Sequence, residues 1–152
     1  MEKLTFKITI DAPREYVWDI LWNDATYQEW TSVFAPGSRA ESDWNQGSKI
    51  LFLDGKGEGM VSSIAVKKVP EFMSFRHLGE VHGGVEDKQS AAWSGATEDY
   101  RLKSVNGKTE LSVEMDITEE FKDYFSEMWP KALEKLKSII GRNRQEAVIS
   151  PS

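Results

Sequence analysis

Cysteine is absent from the 152 residues, which removes disulfide staples, thiolate nucleophiles and cysteine metal sites together. Histidine is scarce. His77 and His82 are the only two, and neither stands in an H-E-x-x-H spacing, so no histidine zinc site is expected. Long apolar runs are missing as well. The longest wholly aliphatic or aromatic one is Ile50 to Leu53, far short of the ~20 residues that cross a bilayer. The first residues, Met-Glu-Lys-Leu-Thr-Phe-Lys, hold no apolar signal core, and the expectation is a cytoplasmic protein without membrane insertion. Positive charge is also in deficit: the net charge is −6, with no Lys/Arg-rich run before the C-terminal end. Affinity for nucleic acid comes mainly from counterion release by basic residues, so no nucleic-acid partner is expected.

Motifs of catalysis are equally thin. There is no G-x-S-x-G nucleophile elbow and no phosphate loop. Gly55-x-Gly57-x-Gly59 lacks the G-x-G-x-x-G spacing of dinucleotide sites and has strand patterns on both sides, so it reads as a flexible hairpin. No cofactor or metal is expected, and no residue is assigned a catalytic role. Linkers, internal repeats and low-complexity stretches are absent too. The chain reads as one domain over residues 1–145, with 146–152 as a frayed tail.

What is present is a soluble, aromatic-rich composition: 39% hydrophobic and 29% charged residues, with six Trp and seven Phe. Leu4 to Ile10 alternates apolar and polar residues as a half-buried strand does. Asp11-Ala12-Pro13 stops it and starts a helix, with Asp11 or Ala12 at the cap and Pro13 in the first turn. Val17, Trp18, Ile20 and Leu21 give that helix an apolar face. Asn23-Asp24 breaks it and caps a second short helix ending near Trp30. Phe34 to Asp43 reads as loop or irregular strand. Strands follow at Ser48 to Asp54, Met60 to Val69 and Phe72 to Val81, and then a polar, Gly-rich loop from His82 to Ser90. Ala92 to Ser104 and Lys108 to Ile117 form a hairpin about Asn106-Gly107, the strongest short-range hairpin signal.

A long helix closes the chain. Thr118 caps it, Glu119 and Glu120 lie in its first turn, and Phe121, Phe125, Trp129, Leu133, Leu136 and Ile140 recur on one face. Glu119 to about Ile140 makes a rod of roughly 33 Å. Pro130 lies inside it and removes the hydrogen bond to the Ser126 carbonyl, so a kink is expected. Strands grouped apart from helices argue for an α+β fold. The expected architecture is a curved antiparallel sheet of about six to seven strands wrapped around the long C-terminal helix, with two short helices after the first strand and a pocket between sheet and helix.

Four stretches carry a resemblance to a known family. They are Ile10-Asp11-Ala12-Pro13 with Val17-Trp18, then Ala25 to Trp30, then Glu58-Gly59-Met60-Val61, and finally Trp129-x-x-x-Leu133-x-x-Leu136-Lys137. Together they resemble the helix-grip fold of the START-like, or SRPBCC, superfamily. That group includes the birch pollen allergen, polyketide cyclases and the C-terminal domain of the activator of heat-shock protein 90 ATPase. The closing helix is similar to the activator-like branch, apart from Pro130, where that branch does not carry proline. The resemblance implies a cavity between sheet and helix that often holds an apolar small molecule. It implies no shared catalytic residue.

The residues themselves nominate the pocket. Trp30, Phe34, Phe52 and Phe75 come from the first half of the chain, and Trp93, Tyr100, Phe125 and Trp129 from the second. Apolar walls with a few polar groups are typical of small-molecule sites. Period two puts Glu98 on the same face as Tyr100 and Leu102. A carboxylate there is either in water at the open end of the sheet or paired as a polar anchor, with His77 or Tyr100 as partner. His77, beside Phe75, reads as a core-edge histidine or as a ligand contact. Gly83-Gly84 and the segment Trp30 to Pro36 are candidate gates. Three functions follow. The leading one is binding of an apolar or amphipathic small molecule, without catalysis. The second is an interaction module whose partner is a protein such as a chaperone. The third is a cyclase- or hydratase-type enzyme using Glu98 with His77 or Tyr100.

Overall fold

Alternation of apolar and polar residues sets the outer strands of the sheet. In β1 (Glu2–Ile10), Leu4, Phe6, Ile8 and Ile10 join the core while Thr5, Lys7 and Thr9 are exposed. In β8 (Lys108–Ile117), Leu111, Val113, Met115 and Ile117 are buried in the same rhythm. The two pair antiparallel, Leu4 against Met115 and Ile8 against Leu111, so both apolar sets share one face. A computed structural model describes residues 1–87 and 94–149, with side chains as far as Arg142. β7 (Thr97–Val105) meets β8 through Asn106-Gly107, both at positive φ (51° and 79°), the conformation that a two-residue hairpin turn requires.

Two helices follow β1: α1 (Arg14–Trp22) and α2 (Asp24–Thr31). Pro13 itself is the N-cap of α1, one position beyond the expected cap, because its extended backbone (ψ 155°) lies outside the helix. Asn23 caps α2 as expected, its side chain accepting from Ala25 N at 3.1 Å. Trp30 Nε1 donates to the Leu21 carbonyl at 3.1 Å and fastens α2 to α1.

The remaining strands are β2 (Arg39–Glu41), β3 (Lys49–Leu53), β4 (Gly59–Lys68), β5 (Phe72–His82) and β6 (Val85–Asp87). The sheet runs β1-β8-β7-β5-β4-β3-β2, every pair antiparallel, with β6 paired to β5 off that path. The fold is therefore α+β, with an open antiparallel sheet gripping a long helix. β6 corrects the expected loop over His82 to Ser90. β5 reaches His82, and Gly83-Gly84, at φ 56° and 84°, turns the chain back into pairing. A polar strand of three residues gives no apolar alternation to read. Of the hairpin strand expected from Ala92, Thr97–Val105 is strand, and residues 88–93 lie outside the described residues.

α3 (Glu119–Ile149) closes the chain and runs unbroken through Pro130. Ser126 and Pro130 are both exposed, so the carbonyl that proline leaves without its N–H faces water. The helix continues past the expected end near Ile140, and residues 146–149, expected as a frayed tail, are helical. Gly141 alone does not stop a helix whose next residues are polar helix formers; Pro151 is the first strong breaker. Residues 150–152 lie outside the described residues. Thr118 does not cap α3 with its side chain. Its hydroxyl is buried without a hydrogen-bond partner, and Phe121 N bonds the Thr118 carbonyl instead, at 3.1 Å.

Along α3 the packing changes character. Ala132, Leu133, Leu136, Ile139 and Ile140 are all 2% exposed or less, but Phe125 is half-buried and Phe121 exposed. The second half of the described helix is sealed against α1, α2 and the sheet; the first half overhangs a space. Among the described residues no helix is long and apolar enough to cross a membrane.

Gly59 is a fixed point of this frame. A Cβ there would lie 1.8 Å from the Phe52 carbonyl oxygen, inside the β3–β4 pair. At Gly47, by contrast, a Cβ meets nothing within 4 Å and only the positive φ of 89° opposes it. Gly47→Ala is expected to cost about 1–2 kcal/mol, and Gly59→Ala about 3 kcal/mol or more because backbone must move. Urea unfolding of both variants checks the order.

Candidate functional site

Strand register builds the floor of the space beneath α3. Ser62 of β4 stands opposite His77 of β5, and Glu98 of β7 stands opposite Phe75, one diagonal step from His77. The side chains join into one hydrogen-bonded row. His77 Nε2 lies 3.2 Å from Glu98 Oε1, Ser62 Oγ lies 2.7 Å from His77 Nδ1, and the Tyr100 hydroxyl donates to Glu98 Oε2. A carboxylate only accepts, so Nε2 donates to it, and the other ring nitrogen, Nδ1, pairs with the Ser62 hydroxyl. His77 is 8% exposed at its side chain and Glu98 16%, so the one carboxylate of this row is both held and in reach of the space above. Burial, then the negative charge of Glu98, pushes the Tyr100 hydroxyl well above its ordinary pKa. The same two causes raise Tyr27. Both phenols therefore remain neutral donors.

Aromatic rings make the walls. Trp129 of α3 stacks on Phe6 at 6.2 Å and meets the edge of Phe34 at 5.0 Å, Trp30 at 6.1 Å and Tyr100 at 6.1 Å. Trp129 Nε1 is buried without a hydrogen-bond partner, so ring packing alone holds the indole. Phe52 lies across from Phe75 at 5.1 Å and His77 at 6.1 Å. The space between these walls is a cavity of about 600 Å³ that opens to solvent. Its size suits a drug-sized molecule.

Two turns and one helix end form the mouth. Asp54 Oδ1 accepts from Glu58 N at 3.0 Å and Lys56 N at 2.7 Å, which holds its carboxyl below the usual range and fixes the β3–β4 turn. Gly37, at φ 74°, lies against Gly55, and Gly55 N bonds the Pro36 carbonyl at 3.1 Å. The Tyr124 hydroxyl donates to the Phe34 carbonyl, tying α3 to the segment after α2. His82 sits between Glu58 and Glu80, 2.8 Å from each.

Of the residues nominated from sequence, Trp30, Phe34, Phe52, Tyr100, Phe125 and Trp129 line the cavity, and so do His77 and Glu98. Phe75 does not: it is fully buried behind Phe52 and Tyr100 and serves the core. Trp93 lies outside the described residues. Glu98 is paired with both His77 and Tyr100, the partners named for it from sequence. Tyr27, Met60, Tyr124 and the mouth residues were not nominated, yet they line the space. Tyr27 stands three residues before Trp30 on α2, a helical spacing that could have flagged it. Ser62 carried no signal, because its role depends on cross-strand register. Among the described residues, no group of three or more metal-ligating side chains forms a metal site.

The family model described as activator of Hsp90 ATPase homolog 1-like protein matches residues 11–141, and the chain belongs to that family. No curated relative matches the chain. Among solved structures it is similar to protein MLL2253 from Mesorhizobium loti, with TM-score 0.74, 14% identity, and coverage of 93% of this chain and 98% of that one. It is also similar to the Aha1 dimer from Colwellia psychrerythraea, with TM-score 0.71, 19% identity, and coverage of 92% and 96%. A third likeness is to CalU16 from Micromonospora echinospora, with TM-score 0.65, 16% identity, and coverage of 95% and 79%. At these identities the likeness shows a shared fold.

The mouth has a pH dependence of known sign. Hydrogen bonds that His82 donates to Glu80 and then to Glu58 raise its pKa above 6.5. A group raised on folding stabilises fully below its unfolded pKa and loses that contribution as pH rises through the folded value. The melting-temperature gap between the wild type and His82→Gln is therefore expected to be larger at pH 5.5 than at pH 8.5. A gap independent of pH would show that the two carboxylates do not hold the imidazolium.

Proposed function

We propose that this protein binds an apolar or amphipathic small molecule in the cavity between sheet and α3. The observation that carries this is an aromatic-walled space of about 600 Å³ whose floor holds a hydrogen-bonded, accessible carboxylate. Aromatic rings supply contact area, and Glu98, His77 and Tyr100 orient one polar end. Gly37, Gly55 and the Tyr124–Phe34 bond join the segments that an occupant must pass. Catalysis has weaker support. Ser62, His77 and Glu98 stand in the order of a nucleophile, base and carboxylate, but Ser62 is fully buried and does not line the cavity. The two ring nitrogens of His77 are taken by Ser62 and Glu98.

One observation favours a second reading, a protein-interaction module of the activator kind. Phe121 and Tyr124 are 36% and 41% exposed at the rim, enough to anchor a protein partner. The two readings part in native mass spectrometry of protein purified from its own source. A co-purifying small molecule supports the first, and a co-purifying protein the second.

The binding reading makes a direct prediction. The neutral dye Nile red is expected to bind saturably at one site. Met60→Trp, which enlarges a half-buried cavity-lining side chain, is expected to weaken that binding about tenfold or more, roughly 1.4 kcal/mol, with the far-ultraviolet circular dichroism unchanged. Equal affinity in the folded variant would move the dye, and the function, away from this cavity.

A further inference from the structure

The charges on the cavity surface constrain what enters it. Among the described residues that line it, the cations are Arg39 and His82. Both are at the mouth and already engaged. Arg39 donates to the Asp54 carbonyl at 3.0 Å and meets Glu41 at 3.4 Å, and His82 is held by Glu58 and Glu80. The acidic groups outnumber them: Asp54, Glu58 and Glu80 toward the rim, and Glu98 on the floor; Asp116, between the inward Met115 and Ile117, turns its carboxylate to the other face of the sheet. Asp116 is taken by Lys3 at 3.0 Å and Thr97 N at 3.1 Å.

Glu98 differs from the others in depth and in what it still has to give. A carboxylate offers about four acceptor positions. One hydrogen bond to each oxygen, from His77 and Tyr100, leaves about two unused. An apolar occupant seated over Glu98 strips water from these positions and returns nothing, which opposes binding. A ligand donor restores what is lost, and a cationic donor also compensates the charge. Tyr27, Phe52, Tyr100 and Trp129 line the same space, and aromatic rings attract a cation wherever one reaches a ring face. A carboxylate-headed ligand fails in both orientations. Head inward, it meets Glu98 as a like charge. Head outward, it meets an acidic rim and lays its hydrocarbon end on Glu98.

Building on the binding reading above, we propose that the occupant is an amphipathic molecule that presents a hydrogen-bond donor, foremost a protonated amine and next a hydroxyl, to Glu98, and that the cavity rejects carboxylate-headed lipids. Glu98 is the specificity-determining residue. Its partners His77 and Tyr100 position it, and Ser62 positions His77.

The test uses three probes with one tail, decylamine, decanol and decanoate, displacing Nile red from the full chain at physiological salt. Decylamine is expected to displace the dye at a concentration at least tenfold below decanoate, with decanol between them. In Glu98→Gln the amine-to-carboxylate preference, each displacement scaled to that variant's own Nile red affinity, is expected to fall at least fivefold. Decanoate displacing the dye as well as decylamine in the wild type overturns the proposal, whether or not the variant folds. So does an unchanged preference in a folded Glu98→Gln, which assigns it to the net negative charge of the whole protein. Failure of Nile red to bind the wild type is a separate result. It rejects the cavity as a small-molecule site and this proposal along with it.

Discussion

Trp129 marks where the packing of helix on sheet stops. Its indole lies on Phe6 from one side and against Trp30, Phe34 and Tyr100 from the others, so a single ring ties β1, α2, β7 and α3 together. Beyond it, Ala132 to Ile140 descends into a sealed core, where close packing leaves no room for an occupant. Before it, the same helix face carries Phe125 and Phe121 outward over the cavity. The cavity is thus not a packing defect spread through the domain. It is the half of the helix–sheet interface on the near side of one tryptophan, and the other half supplies the rigidity that keeps it open. Pro130 follows directly, on the exposed side, where its missing N–H costs least.

The floor obeys a second constraint. A carboxylate facing an apolar space must be paired or hydrated, and Glu98 is paired by register. The antiparallel alignment of β5 with β7 puts His77 within 3.2 Å, and the period of β7 puts the Tyr100 hydroxyl two residues away on the same face. Ser62, opposite His77 on β4, fixes the imidazole in turn. Three neighbouring strands therefore contribute to one polar row, and a slip of one residue in any pair would turn its member to the other face.

These two features explain which parts were legible from the sequence. Alternation in β1 and β8, the Asn106-Gly107 turn and the helical period of α3 are local, so the α+β order, the two short helices and the closing helix could be read directly. Eight of the ten nominated pocket residues line the cavity; on the strands and helices the face follows from period, whereas Phe34 lies in the turn after α2. Phe75 lies on the correct face but one layer too deep, because depth depends on neighbouring strands, and period is silent on that. β6 escaped because a three-residue polar strand at the β5 edge has no apolar signature. The contacts across the mouth escaped because the Gly37–Gly55 approach and the His82 bridge join segments far apart in sequence. Thr118 was misread as a cap because residue type suggests capping, whereas only geometry shows that the hydroxyl makes no hydrogen bond to the helix end.

The depth of Glu98 also bears on what kind of occupant the cavity serves. A protein partner docking on the rim would find Phe121 and Tyr124 without descending further. For such a partner a carboxylate at 16% exposure on the floor adds no contact. Its partial desolvation opposes folding, and His77 and Tyr100 must be organised to offset it. An apolar residue at position 98 would serve a rim-docking module at less cost. A small molecule reaching the floor, by contrast, gains a defined polar end and a fixed orientation from the same group, which apolar walls alone do not provide. The exposed rim rings suit either occupant, because a molecule entering the cavity must first pass them. The placement of one charge, more than the volume around it, is therefore what supports the proposal of a molecule bound inside.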